Sequence, residues 1–385
     1  MQMMDMEKGV NIKMKVDVLI VGGGVIGCAV AHYLAKQGRK VLVLERNEIG
    51  SGGSSRNGGG VRQSARDSRE LPLAKYAVRH LWPTLSKELG VDVEYHQQGN
   101  LRLGKTEVQA EKLRKTVATT NATGIESFFL QGKEIREVCP YVSDEVMAAS
   151  FCPSDGHANP MRTTLAYYQS ALKLGATFIS GVEVQSLLLR KNKLVGAITD
   201  HGNFESDCTI VAAGLESRAI VNSIGIDVPM QRRLIEALVT DAQPRMFGQM
   251  IGTADADFYG HQTEHGPFVF GGSSGLEQFS EEGLRTVTQP MTAASICRGI
   301  LKYFPLLGQT TIVRTWAGFV DKTPDLVPII GRIDDRPELI LACGFNAHGF
   351  GIAPAVGKGI AELAMNLEPS VPLEPFSYHR FKPKA

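Results

Sequence analysis

The sequence has almost no imbalance of charge. Its 41 lysines and arginines stand against 40 aspartates and glutamates, a net +1 over 385 residues. That leaves no basic surplus to neutralise nucleic-acid phosphates, so nucleic acid is not expected as a partner. Long apolar runs are missing too. The most apolar stretch, residues 16–30, is interrupted by four glycines, and no transmembrane segment is expected. The first fifteen residues mix charges among methionines and contain no apolar core. They do not read as a signal peptide, and residues 1–13 are expected to form a disordered extension. The six cysteines, at 28, 139, 152, 208, 297 and 343, include no CxxC pair and no metal-type spacing. This argues against a dithiol reductase and against an iron–sulfur cluster held by this chain alone; it fits a reducing cytosol and a cytoplasmic protein without a metal site. With 43% hydrophobic residues the chain can bury two cores, and two domains are expected.

What is present is a complete βαβ unit near the N-terminus. A strand from Val16 to Val21 runs into Gly22-Gly23-Gly24-Val25-Ile26-Gly27, then a helical stretch to Gly38, then a second apolar strand ending at Glu45. The spacing has a chemical reason. Gly22 permits the tight turn, Gly24 lets backbone approach a pyrophosphate, and Gly27 lets the helix pack on the sheet with its N-terminus facing the phosphates. Glu45 stands where a carboxylate accepts hydrogen bonds from the adenosine ribose. NAD and FAD share this ADP half, so the unit alone leaves the nucleotide open.

Three later segments favour FAD. Residues 50–63 are dense in glycine and serine, which suits a flexible linker, yet Arg56, Arg62, Arg66 and Arg69 recur within and just after them. The better reading is a loop that runs along the cofactor, with glycines letting backbone N–H groups approach an anion or a planar ring. Strands are expected over 181–187, 193–199 and 204–211, the last closing on Ala212-Ala213-Gly214, a small-residue turn beside the cofactor. A third strand–turn–helix begins at Leu339-Ile340-Leu341-Ala342-Cys343-Gly344 and continues through His348 into a helix from about Ile352 to Met365. It aims a second helix N-terminus inward, where reduction puts negative charge on a flavin ring. No second GxGxxG follows residue 60, which argues against an NAD(P)-using reductase.

Taken in order, GGGVIG with Glu45, SSRNGGGVRQ, TIVAAG, RTWAGFVDKTPDLVPIIG and ACGFNAHGFGIAPAVG resemble the D-amino-acid-oxidase-like flavoprotein family over residues 16 to 366. Within it the chain is similar to the branch holding the β subunits of dye-linked L-proline dehydrogenase, hydrogen cyanide synthase and heterotetrameric sarcosine oxidase, together with opine oxidases. The resemblance implies an α/β (α+β overall) fold. A discontinuous Rossmann-like FAD-binding domain would comprise residues 14–75, 151–222 and 314–372. A substrate domain of 76–150 and 223–313 would roof the flavin with a mostly antiparallel sheet. Non-covalent FAD would lie against Gly22, Gly24, Val25, Ile26, Gly27, Glu45 and Arg46, then Ser54, Ser55, Gly58 and Gly59. Val184, Ala212, Gly214 and Gly318 would flank it, and Gly344, His348, Gly349, Phe350, Gly351 and Ile352 would close on the ring.

The family's chemistry moves a hydride from the carbon beside a substrate amine to flavin N5, giving an imine. The arginine that holds the substrate carboxylate in related sarcosine oxidases falls on Arg62, with contact to the cofactor or to an interface acid as the alternative role. Departures matter as much. The family's lysine after the GHGF turn is Gly351 here, and its oxygen-activating lysine falls on Val269, which favours a dehydrogenase over an oxidase. The flavin-linking cysteine falls near Gly318, and the histidine that carries a covalent second flavin falls near Pro160. FMN at a subunit interface stays open, but a covalent one is not expected. Tyr259 and His261 lie in the roof hairpin, from which one could face substrate. His348 is a candidate for proton transfer, His157 for turn structure and Trp316 for core packing.

The expected function is FAD-dependent oxidation of the C–N bond of a small amino acid, with proline, hydroxyproline, sarcosine, glycine and opine-like substrates all open. Electrons would pass to a partner subunit, a quinone or a dye, in a homo- or hetero-oligomer. A peroxide-producing oxidase and a non-catalytic electron-relay subunit are the alternatives.

Overall fold

The protein was analysed as a computed structural model that describes residues 14–272 and 288–381; the expected N-terminal extension lies outside them. In chain order the first strands are Met14–Val21 (β1), Val41–Glu45 (β2), Gly60–Val61 (β3), Asn100–Gly104 (β4), Phe128–Gln131 (β5), Ala148–Cys152 (β6), Gly156–His157 (β7), Thr177–Ser180 (β8) and Val184–Arg190 (β9). There follow Lys193–Thr199 (β10), Gly202–Val211 (β11), Gln231–Ala242 (β12), Met250–Thr253 (β13), Phe258–Gln262 (β14), Pro267–Gly272 (β15), Ile312–Lys322 (β16), Ile329–Ile333 (β17) and Arg336–Cys343 (β18). The helices are Val25–Lys36 (α1), Leu71–Tyr76 (α2), Trp82–Leu89 (α3), Glu107–Ala122 (α4), Lys133–Val138 (α5), Pro160–Lys173 (α6), Ser217–Asn222 (α7), Pro290–Tyr303 (α8) and Gly349–Ala364 (α9).

Two eight-stranded sheets carry the architecture. The first runs β17-β18-β11-β1-β2-β8, with the β9–β10 hairpin joined to β11. Its centre is parallel, β1 lying between β11 and β2. A strand covered on both faces needs apolar residues at successive positions, and Leu19, Ile20 and Val21 are all buried. Helix α1 is buried from Val25 to Ala35, because it is clamped between the sheet, α6 and α9. The helix around which the others pack is therefore apolar nearly all round.

The second sheet, β16-β12-β15-β14-β13-β4-β6-β5, is antiparallel except where β13 lies parallel to β4. One face packs Leu101, Leu238, Phe258, Phe268 and Phe270 against Ile296, Ile300 and Tyr303 of α8. By the two-residue alternation of strands, Arg102, Gly252, Tyr259, His261 and Gly271 then belong to the opposite face. That face looks towards the first sheet's loops.

Several boundaries differ from the sequence reading. The strand expected from Gly181 begins at Val184, since Gly181 takes φ +76° and the Val182 N–H turns back to Glu45 O. Helix α9 starts at Gly349, three residues early. The domain boundary expected at 314 falls inside β16, which pairs with β12 along its length; the chain returns to the first sheet only after Lys322. Trp316 is only partly buried and donates its indole N–H to Arg56 O at 3.2 Å. The buried core tryptophan is Trp82, whose indole N–H reaches Gly351 O at 2.8 Å.

Candidate active site

The turn after β1 is built by close approach. Gly22 has φ +109°, and a Cβ there would meet Ala212 O at 2.5 Å; a Cβ on Gly27 would lie 2.0 Å from Gly22 O. The Ala212-Ala213 backbone therefore passes against the glycine turn, as the small-residue run suggested, with Gly214 following in a left-handed conformation. At Gly24 a Cβ would meet only Ser54 Oγ, at 3.1 Å. Helix α1 has no side-chain cap and no acid in its first turn, so its N-terminal amides are dressed only by Ser54 Oγ, which accepts from Val25 N at 2.9 Å. Glu45 accepts from Gly23 N at 2.7 Å and Asn47 N at 2.9 Å, which fixes a carboxylate at the rim of the turn. The side chains of Val25 and Ile26 point into the core and offer only backbone; Val184 likewise turns its side chain into the core. Arg46 leans on Glu183 and Glu216.

The Gly/Ser segment is a structured loop, not a linker. Ser55 Oγ donates to Ser51 O and Gly52 O, Asn57 Nδ2 donates to Ser54 O, and Asn57 Oδ1 accepts from Gly59 N. Residues 60–61 then pair with β7. Arg56 Nη1 donates to Ala317 O at 2.8 Å, and the Arg56 stem covers Gly318. A Cβ on Gly58 would lie 3.0 Å from the Tyr259 ring. The loop thus runs directly beneath the second sheet and packs against it.

Residues facing this loop stand in one row across the sheet: Trp316, Ala237, Gly271, Tyr259, Gly252, Arg102 and Ser150 are successive register partners. Tyr259 lies against Gly271 and Gly58, and burial raises its phenol pKa. His261 shares its face, so both hairpin candidates point the same way. Arg62 Nη1 donates to Ser64 O at 2.7 Å and Ala65 O at 3.0 Å, and no carboxylate lies within ion-pair distance of it among the described residues. Burial, then Arg66 and Arg102, push its pKa down to about 9. A guanidinium stays charged at neutral pH, so the shift marks a desolvated site that also holds further positive charge.

His348 ends the loop before α9, whose first turn has no acid and no side-chain cap. Its Nδ1 lies 3.9 Å from Glu70 Oε1, beyond hydrogen-bond reach. Burial is the main cause that lowers its pKa to about 4, helped by Arg62 and Arg66 against Glu70. The imidazole is neutral at pH 7. At Gly351 a Cβ would meet Gly60 O at 3.1 Å and Arg66 Nη2 at 3.2 Å; Arg66 fills the space where a side chain would start.

The sequence model of the family described as FAD dependent oxidoreductase matches residues 17–363. The chain belongs to this family. It is 28% identical over 382 residues to the β subunit of sarcosine oxidase from Arthrobacter sp, spanning 96% of this chain and 92% of that one. It is 26% identical to one of the subunits of opine oxidase from Rhizobium meliloti, over 90% and 95% of the two chains. The crystal structure of L-proline dehydrogenase from P. horikoshii matches with a TM-score of 0.88 at 30% identity, over 96% of this chain and 98% of that one.

The geometry of this FAD-dependent oxidoreductase fits its cofactor. One helix end beside Gly24 that carries only the Ser54 hydroxyl, a carboxylate at the rim, a glycine loop under a sheet and a second helix end without a side-chain cap at Gly349 suit the diphosphate, ribose and ring of FAD in turn. Sequence reasoning missed the groups that hold these parts in place. Arg66 and Glu70 form a buried ion pair at 2.5 Å, and Arg66 Nη2 also donates to His348 O. Asp321, pushed up to about 6 by burial against four backbone N–H groups, accepts from Gly344 N at 2.8 Å. Both tie down the start of α9. His157, expected to shape a turn, is instead buried in β7 and stacked on His261 with centroids 4.0 Å apart. The glycine spacing signalled the cofactor turn; Arg66 and Glu70 stand at i,i+4 spacing, but nothing local signalled the reach of Arg66 to His348, of Asp321 to Gly344 or of His157 to His261.

Proposed function

We propose that this chain oxidises the C–N bond of a small amino acid, with Arg62 holding the substrate carboxylate and the second sheet roofing the reacting carbon. The observation that carries this reading is Arg62 itself, a desolvated guanidinium with no carboxylate within ion-pair distance among the described residues, beneath the roof and beside the start of α9. An incoming carboxylate would supply the missing anion through charge-assisted hydrogen bonds. Bound FAD would accept the hydride from the carbon that bears the amine. The chain's own residues prepare that carbon. Arg62, Arg66 and Arg102 together disfavour a substrate ammonium and favour the neutral amine, whose lone pair forms the C=N bond as the hydride leaves. Tyr259 and neutral His348 would border the reacting centre. The FAD-holding part would comprise the first sheet with the 50–63 loop.

We also infer that electrons leave to a partner rather than to oxygen, in a cytoplasmic protein. Val269 pairs with His261 on the roof face, and burial lowers His261 to about 4, so this position presents no cation of its own to stabilise superoxide. The relatives named as subunits support a partner chain. The test is the visible spectrum of the flavin-loaded protein under anaerobic conditions, with proline, sarcosine, glycine and their N-substituted derivatives. Bleaching by one amine is expected, with little peroxide on admitting air. Arg62→Ala should raise that substrate's Kd by about a hundredfold, the equivalent of a few kcal/mol. Flavin that no amine bleaches would sink the reading.

A further inference from the structure

Arg102 is a third guanidinium of the site beside Arg62 and Arg66, half-buried, and the sequence motifs did not point to it. It leaves β4 on the roof face, one strand beyond Gly252 and two beyond Tyr259. Adjacent strands lie about 4.8 Å apart, so Tyr259 and Arg102 stand roughly 10 Å from each other. The position between them carries no side chain. A Cβ built on Gly252 would meet nothing closer than 3.9 Å, and what it meets is Arg102 Cγ and Phe258 O. The result is a slot in the roof with an aromatic wall on one side and a guanidinium on the other.

The charges around this slot do not cancel. Arg66 is matched by Glu70. Asp155 is fully buried and is held by Gln63 N at 2.7 Å and by the Ser64 hydroxyl. It faces both Arg62 and Arg102, but neither guanidinium has a carboxylate within ion-pair distance among the described residues. The Arg102 guanidinium also makes no hydrogen bond among the described residues. It borders a cavity of about 10 Å³, room for one water, lined also by Ser64, Asn100, Thr116, Thr120 and Ser150. Two desolvated cations thus share one acid whose own ionisation burial opposes. Such a site is stabilised by bringing in negative charge.

We propose that Arg102 and the slot over Gly252 bind a second carboxylate of the substrate, so that the preferred substrate is a secondary amine flanked by two carboxylates, an N-carboxyalkyl amino acid. Arg62 takes the carboxylate next to the carbon being oxidised; Arg102 takes the one on the other nitrogen substituent. A guanidinium fork matches a carboxylate in plane, which a neutral side chain at position 102 would not reproduce. This inference rests on the amino-acid reading above.

The decisive pair of probes is sarcosine and iminodiacetate, which share the amine and one arm and differ by the second carboxylate. Diglycolate and methoxyacetate, in which oxygen replaces nitrogen, repeat the comparison without turnover and report binding by calorimetry. We expect iminodiacetate and diglycolate to bind at least about tenfold tighter than their one-carboxylate counterparts. Arg102→Gln should erase the difference between the members of each pair, and Arg102→Lys should restore part of it. Gly252→Val, which adds bulk to the slot and leaves both arginines in place, should weaken the dicarboxylates selectively. Equal binding within each pair, or an Arg102→Gln loss shared equally by both members, overturns the role of Arg102. If amines with one carboxylate still bleach the flavin in that case, the functional reading stands without it. Flavin that no amine bleaches overturns both.

Discussion

Gly27 and Glu70 show how differently single residues hold this site. A methyl group at Gly27 would sit 2.0 Å from Gly22 O, so Gly27→Ala must push α1 away from the turn it caps. Overpacking of that kind costs about 1–3 kcal/mol. The variant should purify with substoichiometric flavin, which the absorbance ratio of flavin to protein measures directly. Glu70 contributes through charge. Its carboxylate and the Arg66 guanidinium are both 1% exposed, and removing one partner strands the other. Glu70→Gln is expected to lower stability by about 3–5 kcal/mol, read from the urea midpoint, and to loosen the start of α9, because Arg66 would lose the partner that aims it at His348 O. A midpoint within error of the parent would show that the pair is not the anchor.

At the scale of elements, the roof hairpin and the β16–α9 connection respond oppositely to acid. His261 on β14 is driven down from 6.5 to about 4, chiefly by burial. Between those values the unfolded chain binds the proton that the folded one refuses. Its contribution is therefore full above pH 6.5 and lost as pH falls through 4. His157 and His348 are depressed as well and act in the same direction. Asp321 is raised from 3.8 to about 6, so its contribution is full below pH 3.8 and lost as pH rises through 6. Asp155 is raised as well and acts with Asp321; with three histidines against these two aspartates, thermal stability should fall from pH 7 to pH 4.5. Asp321→Asn should make that fall steeper, since it deletes an opposing group; a shallower melting profile would contradict the assignment. These elements also mark how far the sequence could be read. Gly22 to Gly27 and Glu45 were legible because a βαβ unit is local, and its spacing is dictated by one phosphate-binding turn. The role of Arg102 was not, because it depends on β4 lying beside β13, about 150 positions away in the chain. Trp316 was misread for a related reason. An aromatic on an apolar strand suggests core, but β16 is the edge of its sheet.

Across the whole molecule, the six cysteines are free thiols, and all but Cys297 are buried. Burial raises the pKa of each, Cys297 included, which disfavours the reactive thiolate. Titration with a chromogenic disulfide should find one slowly reacting thiol in the native protein and six in denaturant, and reducing agents should leave the melting temperature unchanged. Prompt reaction of several thiols would mean that the two cores open far more readily than their packing implies. The order of strands carries one more consequence. β1 is made early in the chain, yet its parallel neighbour β11 is completed only at Val211, and β11 is in turn flanked by β18, which ends at Cys343. During synthesis, the glycine turn therefore emerges well before the backbone at Ala212 that closes against it. Loop closure over such distances makes folding slow, and a ribosome-bound chain stopped before residue 343 would hold the nucleotide-binding signature without the finished sheet behind it.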